Sequence, residues 1–143
     1  MFAPSLQDVR QFFCDTHRKQ RDGLVLTPLE AMAAEWIVRH PEYANLLSDP
    51  EKALTADFSV ERGASNPFLH LSMHLSLAEQ VSIDQPPGVR AGFIALAKKF
   101  DSEHEAHHQM MEALGEMLWQ SQRSGLPPDG EAYVAALRHK AGK

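Results

Sequence analysis

His70 and His74, and again His104 and His108, stand four residues apart in a chain that carries eight histidines. On an α-helix an i, i+4 pair puts both imidazoles on one face, about one turn apart. Two such pairs on two packed helices could close around one ion or a pair of ions. Imidazole suits zinc, iron, copper and nickel, so the clustering points to a transition metal before any other chemistry. Glu112, four residues after His108, is spaced to complete the site. The expected ligands are therefore His70, His74, His104, His108 and Glu112, and the expected ion is iron or zinc.

At about 100° per residue, His70 and His74 share a narrow arc with the apolar Leu77 and Val81, while Glu79 falls on nearly the opposite side. His104 and His108 share theirs with Met111, Gly115 and Leu118, with Glu112 at its edge. His107 lies about 60° to the other side of His104 and reads as a supporting or exposed residue. Each neutral imidazole has one donor and one acceptor to satisfy, so burying four of them without partners would be costly. A metal would take up the acceptor nitrogens, and Glu112, Glu105 or Glu30 could hold the others. Glu105-Ala106-His107-His108 is one Glu-x-x-His, but di-iron carboxylate bundles use two, and the chain has no second copy.

A competing reading comes from the same residues. A single His pair at this spacing usually marks a hydrogen-bonded or half-exposed face, so the alternative is a metal-free interaction or scaffold protein whose histidines form a buried polar seam. A third reading is an enzyme with a His-lined pocket and Glu112 or Glu105 as general base, although nothing in the sequence names a substrate. His17, His40 and His139 read as surface or capping residues. Met110, Met111 and Met117 read as core filler, Trp36 and Trp119 as packed in the bundle, and Gly115 as a place of close helix approach.

The elements that must position these residues are helices. Ser5-Leu6-Gln7-Asp8 resembles a cap, with Leu6, Val9, Phe13 and Cys14 forming an apolar stripe that ends at Gly23. Thr27-Pro28-Leu29-Glu30 opens a second helix as N-cap, N1 proline and N3 glutamate, presenting Trp36 and running to His40 before Pro41. Asp49-Pro50-Glu51 starts a short segment in a weakly periodic stretch. Asn66-Pro67 opens a third major helix to about Asp84, and Pro86-Pro87-Gly88 breaks the chain. The region from Val89 to about Arg123 is split near Asp101-Ser102, because Ser102-Glu103-His104-Glu105 looks like a capping box. Gly125 and Pro127-Pro128 end it, and a last helix from about Gly130 to Lys140 buries Tyr133, Val134 and Leu137. No strand-like alternation survives, so the fold expected is all-α: one antiparallel bundle domain over residues 1–143, with about four main helices plus short ones.

At 143 residues the chain is long enough to bury a core without staples. Its net charge of −5 and pI near 5.9 leave no electrostatic footprint for nucleic acid or an anionic membrane. Arg18-Lys19-Gln20-Arg21 reads as basic residues at a helix C-terminus. Cys14 is the one cysteine, which excludes an intrachain disulfide and a thiolate zinc site. No stretch approaches the roughly 20 apolar residues needed to cross a bilayer, and no signal peptide is recognisable. The compartment expected is the cytoplasm. The partners expected are a metal ion, with room for a homodimer and no protein partner identified.

Asn66-Pro67-Phe68-Leu69-His70-Leu71-Ser72-Met73-His74 and His104-Glu105-Ala106-His107-His108-Gln109-Met110-Met111-Glu112 carry a likeness to a known family. With Gly115-Glu116-Met117-Leu118-Trp119, Gly125-Leu126-Pro127-Pro128 and His40-Pro41-Glu42-Tyr43, the chain resembles the bacterial domain of unknown function 1841 over most of its length. That resemblance implies a bacterial origin and transfers no activity. It also implies a difference, because members often carry a histidine after the tyrosine matching Tyr43, where this chain has Ala44. Hemerythrin-like bundles are similar in architecture and ligand type only, which does not establish function.

Overall fold

A computed structural model describes residues 6–56 and 66–142, and among them there are eight α-helices and no strand. The expected all-α fold is observed. The proposed cap at Ser5 lies outside the described residues. The helices fall into two compact units divided between Leu75 and Ser76, inside the fifth helix.

The first unit is built from α1 (Leu6–Arg21), α2 (Pro28–Val38), α3 (Ala44–Leu47), α4 (Pro50–Thr55) and the first half of α5 (Pro67–Ile83). A 3-10 turn, Pro41–Tyr43, joins α2 to α3. Local chemistry sets the helix starts. The Thr27 hydroxyl accepts from the Glu30 backbone N–H while the Glu30 carboxylate accepts from Thr27 N–H, a complete capping box with Pro28 behind it. Asp49 caps α4 through Lys52 N–H, and Asn66 Oδ1 accepts from the N–H groups of Phe68 and Leu69 to start α5. The α1 C-terminus carries Arg18, Lys19 and Arg21, as expected. Arg10 reaches across to the Ala53 and Ala56 carbonyls at 3.0 and 2.8 Å, satisfying the exposed end of α4.

Phe13, Cys14, Ala33, Ile37, Leu47, Ala53, Phe68 and Leu71 form the core of this unit. Burial pushes the Cys14 thiol up, with the charges of Asp15 and Asp49 acting in the same direction, so it behaves as a small hydrophobe. Glu30 is not available to support an imidazole. Besides its capping bond, it takes a 2.8 Å ion pair from Lys19, and these contacts hold its carboxyl below the usual glutamate range.

The second unit comprises the rest of α5, α6 (Val89–Phe100), α7 (Glu103–Ser124) and α8 (Gly130–Lys140). The split expected near Ser102 is present, with the Ser102 hydroxyl accepting from Glu105 N–H. The reciprocal arm of a capping box is replaced, because Glu105 Oε1 accepts from Gln109 instead. Leu77, Val89, Leu96, Ala106, Met110, Tyr133, Val134 and Leu137 are the centre of its core, with Met111 and Met117 packed at the edge. The Tyr133 hydroxyl donates to Gln80 Oε1 at 2.8 Å, and burial of the phenol pushes its pKa up.

The approach of α6 to α8 depends on missing side chains. A Cβ at Gly92 would stand 3.0 Å from Leu137 Cβ, and one at Gly88 2.9 Å from Val134 Cγ1. Gly115, by contrast, has nothing within 4 Å of where a Cβ would be. It does not mediate the close helix approach expected of it. Trp119 is also 50% exposed, not packed in the core, and lies under the Arg123 guanidinium at 5.1 Å.

Candidate metal centre

α2 stops where the sequence makes it stop. Pro41 disfavours helical geometry in the residue before it, and His40 takes φ −127°, ψ 64°. Its ring folds back over the helix end, where the last carbonyls lack intrahelical partners. Nδ1 meets the Trp36 carbonyl oxygen at 2.7 Å. A carbonyl only accepts, so Nδ1–H is the donor, and in the neutral ring Nε2 keeps its lone pair.

That lone pair is aimed at α5. His40 Nε2 lies 3.1 Å from His70 Nε2, and His70 Nε2 lies 3.1 Å from His74 Nε2. One ring nitrogen each of His40, His70 and His74 could serve as a ligand, and these atoms all fall within 4.8 Å of one another. His40 and His74 are 3% and 0% exposed, while His70 between them is partly exposed. Two aromatic stacks hold the rings. Tyr43 stacks on His40 with centroids 5.2 Å apart and planes 3° from parallel, and Trp36 stacks on His74 at 4.4 Å and 11°. The Arg39 guanidinium lies over the Trp36 ring at 4.3 Å.

Converging Nε2 atoms are hard to satisfy with protons alone. A proton on His70 Nε2 points at one neighbour at a time. A cation between the rings satisfies all three acceptors together.

The structure thus joins the expected pair His70 and His74 to His40, which the sequence reading assigned to the surface or a cap. His40 is a cap, but it is buried. The signal that could have found it is its own i, i+4 spacing from Trp36 at a helix end closed by proline.

The second pair lies on the first turns of α7 in the second unit, with His104 and His108 ring centroids 4.6 Å apart. His108 Nδ1 is 3.7 Å from Glu105 Oε2. His107 is 2% exposed and packs edge-on against Phe93 at 5.4 Å, so it is buried, not exposed. Glu112 is exposed, its Oε2 3.7 Å from Lys140 Nζ. It lines a half-open groove of about 750 Å³ between α7 and α8, whose lining includes Met117, Tyr133 and Ala136 and, among the described residues, no histidine.

No helix of the described residues is long and apolar enough to cross a membrane. No curated protein and no solved structure matches the chain. The family comparison agrees with the resemblance drawn from the histidine motifs: a family model matches residues 5–139, and the chain belongs to the family described as Domain of unknown function (DUF1841).

Proposed function

We propose that this is a transition-metal-binding helical protein whose centre includes His40, His70 and His74, each coordinating through Nε2. The observation that carries the reading is the pair of 3.1 Å Nε2–Nε2 separations meeting at His70. With metal–nitrogen bonds of about 2.0–2.1 Å, that separation corresponds to a ligand–metal–ligand angle of about 95–100°. Such an angle lies between octahedral and tetrahedral geometry, within reach of iron and zinc alike. A donor set of neutral imidazoles disfavours magnesium and calcium, which ask for oxygen. The centre would serve redox, sensing or storage.

The test is metal content by mass spectrometry on protein produced without a polyhistidine tag. Near-stoichiometric iron or zinc, lost in H70A/H74A, is the expected result. Wild-type protein that retains no metal after reconstitution with iron(II), zinc, copper(II), nickel and cobalt overturns the reading in favour of a hydrogen-bonded histidine seam.

A further inference from the structure

Trp36 touches the centre twice, through different parts of the residue. Its carbonyl is one of the acceptors left over in the last turn of α2, and it receives the His40 Nδ1–H at 2.7 Å. Its indole lies flat on the His74 imidazole, 4.4 Å away and 11° from parallel. The Arg39 guanidinium sits 4.3 Å from the ring centroid and is itself tied to Glu35 at 3.0 Å. Held between a cation and an imidazole, and only 4% exposed, the indole has little room to turn.

We infer that Trp36 is the positioning residue of the metal centre: its backbone orients His40 and its ring orients His74, so that both Nε2 atoms face His70. The inference rests on the metal reading above and deepens it. The carbonyl selects the tautomer of His40 that leaves Nε2 able to coordinate. The indole fixes the plane of His74, and with it the direction of its lone pair. Partners of this kind are worth about 10–100-fold in metal affinity when they support a ligand. Arg39, three residues on and one turn around the same helix end, acts through Trp36 by pressing the indole onto His74.

The experiment compares zinc binding by untagged wild type, W36F, W36L and R39M, with histidine side-chain ¹⁵N spectra recorded before and after zinc. The spectra of metal-free wild type should show His40 protonated on Nδ1, and zinc should move the Nε2 signals of His40 and His74. W36L keeps the carbonyl and loses the stack. Its zinc Kd should rise about 10–100-fold, with His40 keeping its tautomer and the His74 signal displaced. W36F keeps a flat ring and should recover most of the affinity. R39M frees the far side of the indole without opening a core cavity and should lose affinity in the same direction, which keeps the test intact if W36L does not fold. A Trp36 that merely fills space would lower the melting temperature of W36L and leave its Kd and His74 signal like wild type, and that result overturns the inference. Wild type that takes up no zinc overturns the metal reading beneath it.

Discussion

Replacing His74 with alanine separates what this side chain does for the fold from what it does for an ion. His74 is 0% exposed and stacked on Trp36, so the metal-free protein loses a buried ring and its aromatic contact. Buried Phe→Ala changes cost about 3–5 kcal/mol, and the smaller imidazole should cost about 2–3 kcal/mol, including the stacking contribution. The second effect appears only with metal. Zinc at one hundred times its Kd stabilises the wild-type fold by about 2.7 kcal/mol. Losing one ligand raises the Kd about 100-fold or more, and the stabilisation at the same zinc concentration falls to about 0.4 kcal/mol. At about 4 °C per kcal/mol for a chain of this size, zinc should raise the wild-type Tm by about 10 °C and that of H74A by about 2 °C. Differential scanning calorimetry with zinc and with EDTA measures both effects. Equal zinc shifts in wild type and H74A would refute the assignment of His74 as a ligand.

Three other outcomes follow from the geometry. Gly115 is helical with open space around it, so G115A should stabilise by about 0.5–1 kcal/mol, whereas G125A, at φ +74°, should destabilise by about 1–2 kcal/mol; urea unfolding that ranks them the other way contradicts the backbone argument. Lys19, and then the Thr27 N–H, hold Glu30 below the usual glutamate value, so its contribution is complete above about pH 4.3 and fades as pH falls through the lower folded value. E30Q should therefore be less stable than wild type near neutral pH, and the gap should close in acid unfolding curves taken from pH 6 downward. In W119F, Trp36 is the one remaining indole, and copper(II) held by the stacked His74 should quench most of its emission while zinc should not; emission that ignores copper removes the metal from this cluster.

Much of the fold was legible because helix boundaries are written locally. Thr27-Pro28, Asp49-Pro50, Asn66-Pro67, Ser102 and Gly125 each terminate a helix through hydrogen bonds or a backbone angle formed within a few residues. Periodicity also placed His70 and His74 on one face correctly. It says nothing about what covers that face. His40 meets His70 and His74 across 30 and 34 positions of sequence, beyond the reach of a helical wheel, and its helix has already ended. The same blindness explains Gly115 and Trp119, which lie on the side of α7 away from its buried residues Ala106, Met110, Ala113 and Leu114. Glu30 was legible as a capping residue, whereas Glu105 enters the Ser102 cap only through its backbone N–H, and the two carboxylates are engaged by Lys19 and Gln109 respectively.

The contact between Gly92 and Leu137 has a consequence for how the sequence can drift. A methyl at position 92 would arrive 3.0 Å from Leu137 Cβ and 3.1 Å from its Cδ1, so a shorter residue at 137 removes one of the two close contacts. Volume gained on α6 must therefore be given up on α8. Among diverged copies of this chain, alanine or serine at 92 should be accompanied by a smaller residue at 137, and G92A should be better tolerated beside L137A than alone. The two positions would be inherited as one steric unit, a constraint of shape independent of the histidine cluster in the other unit.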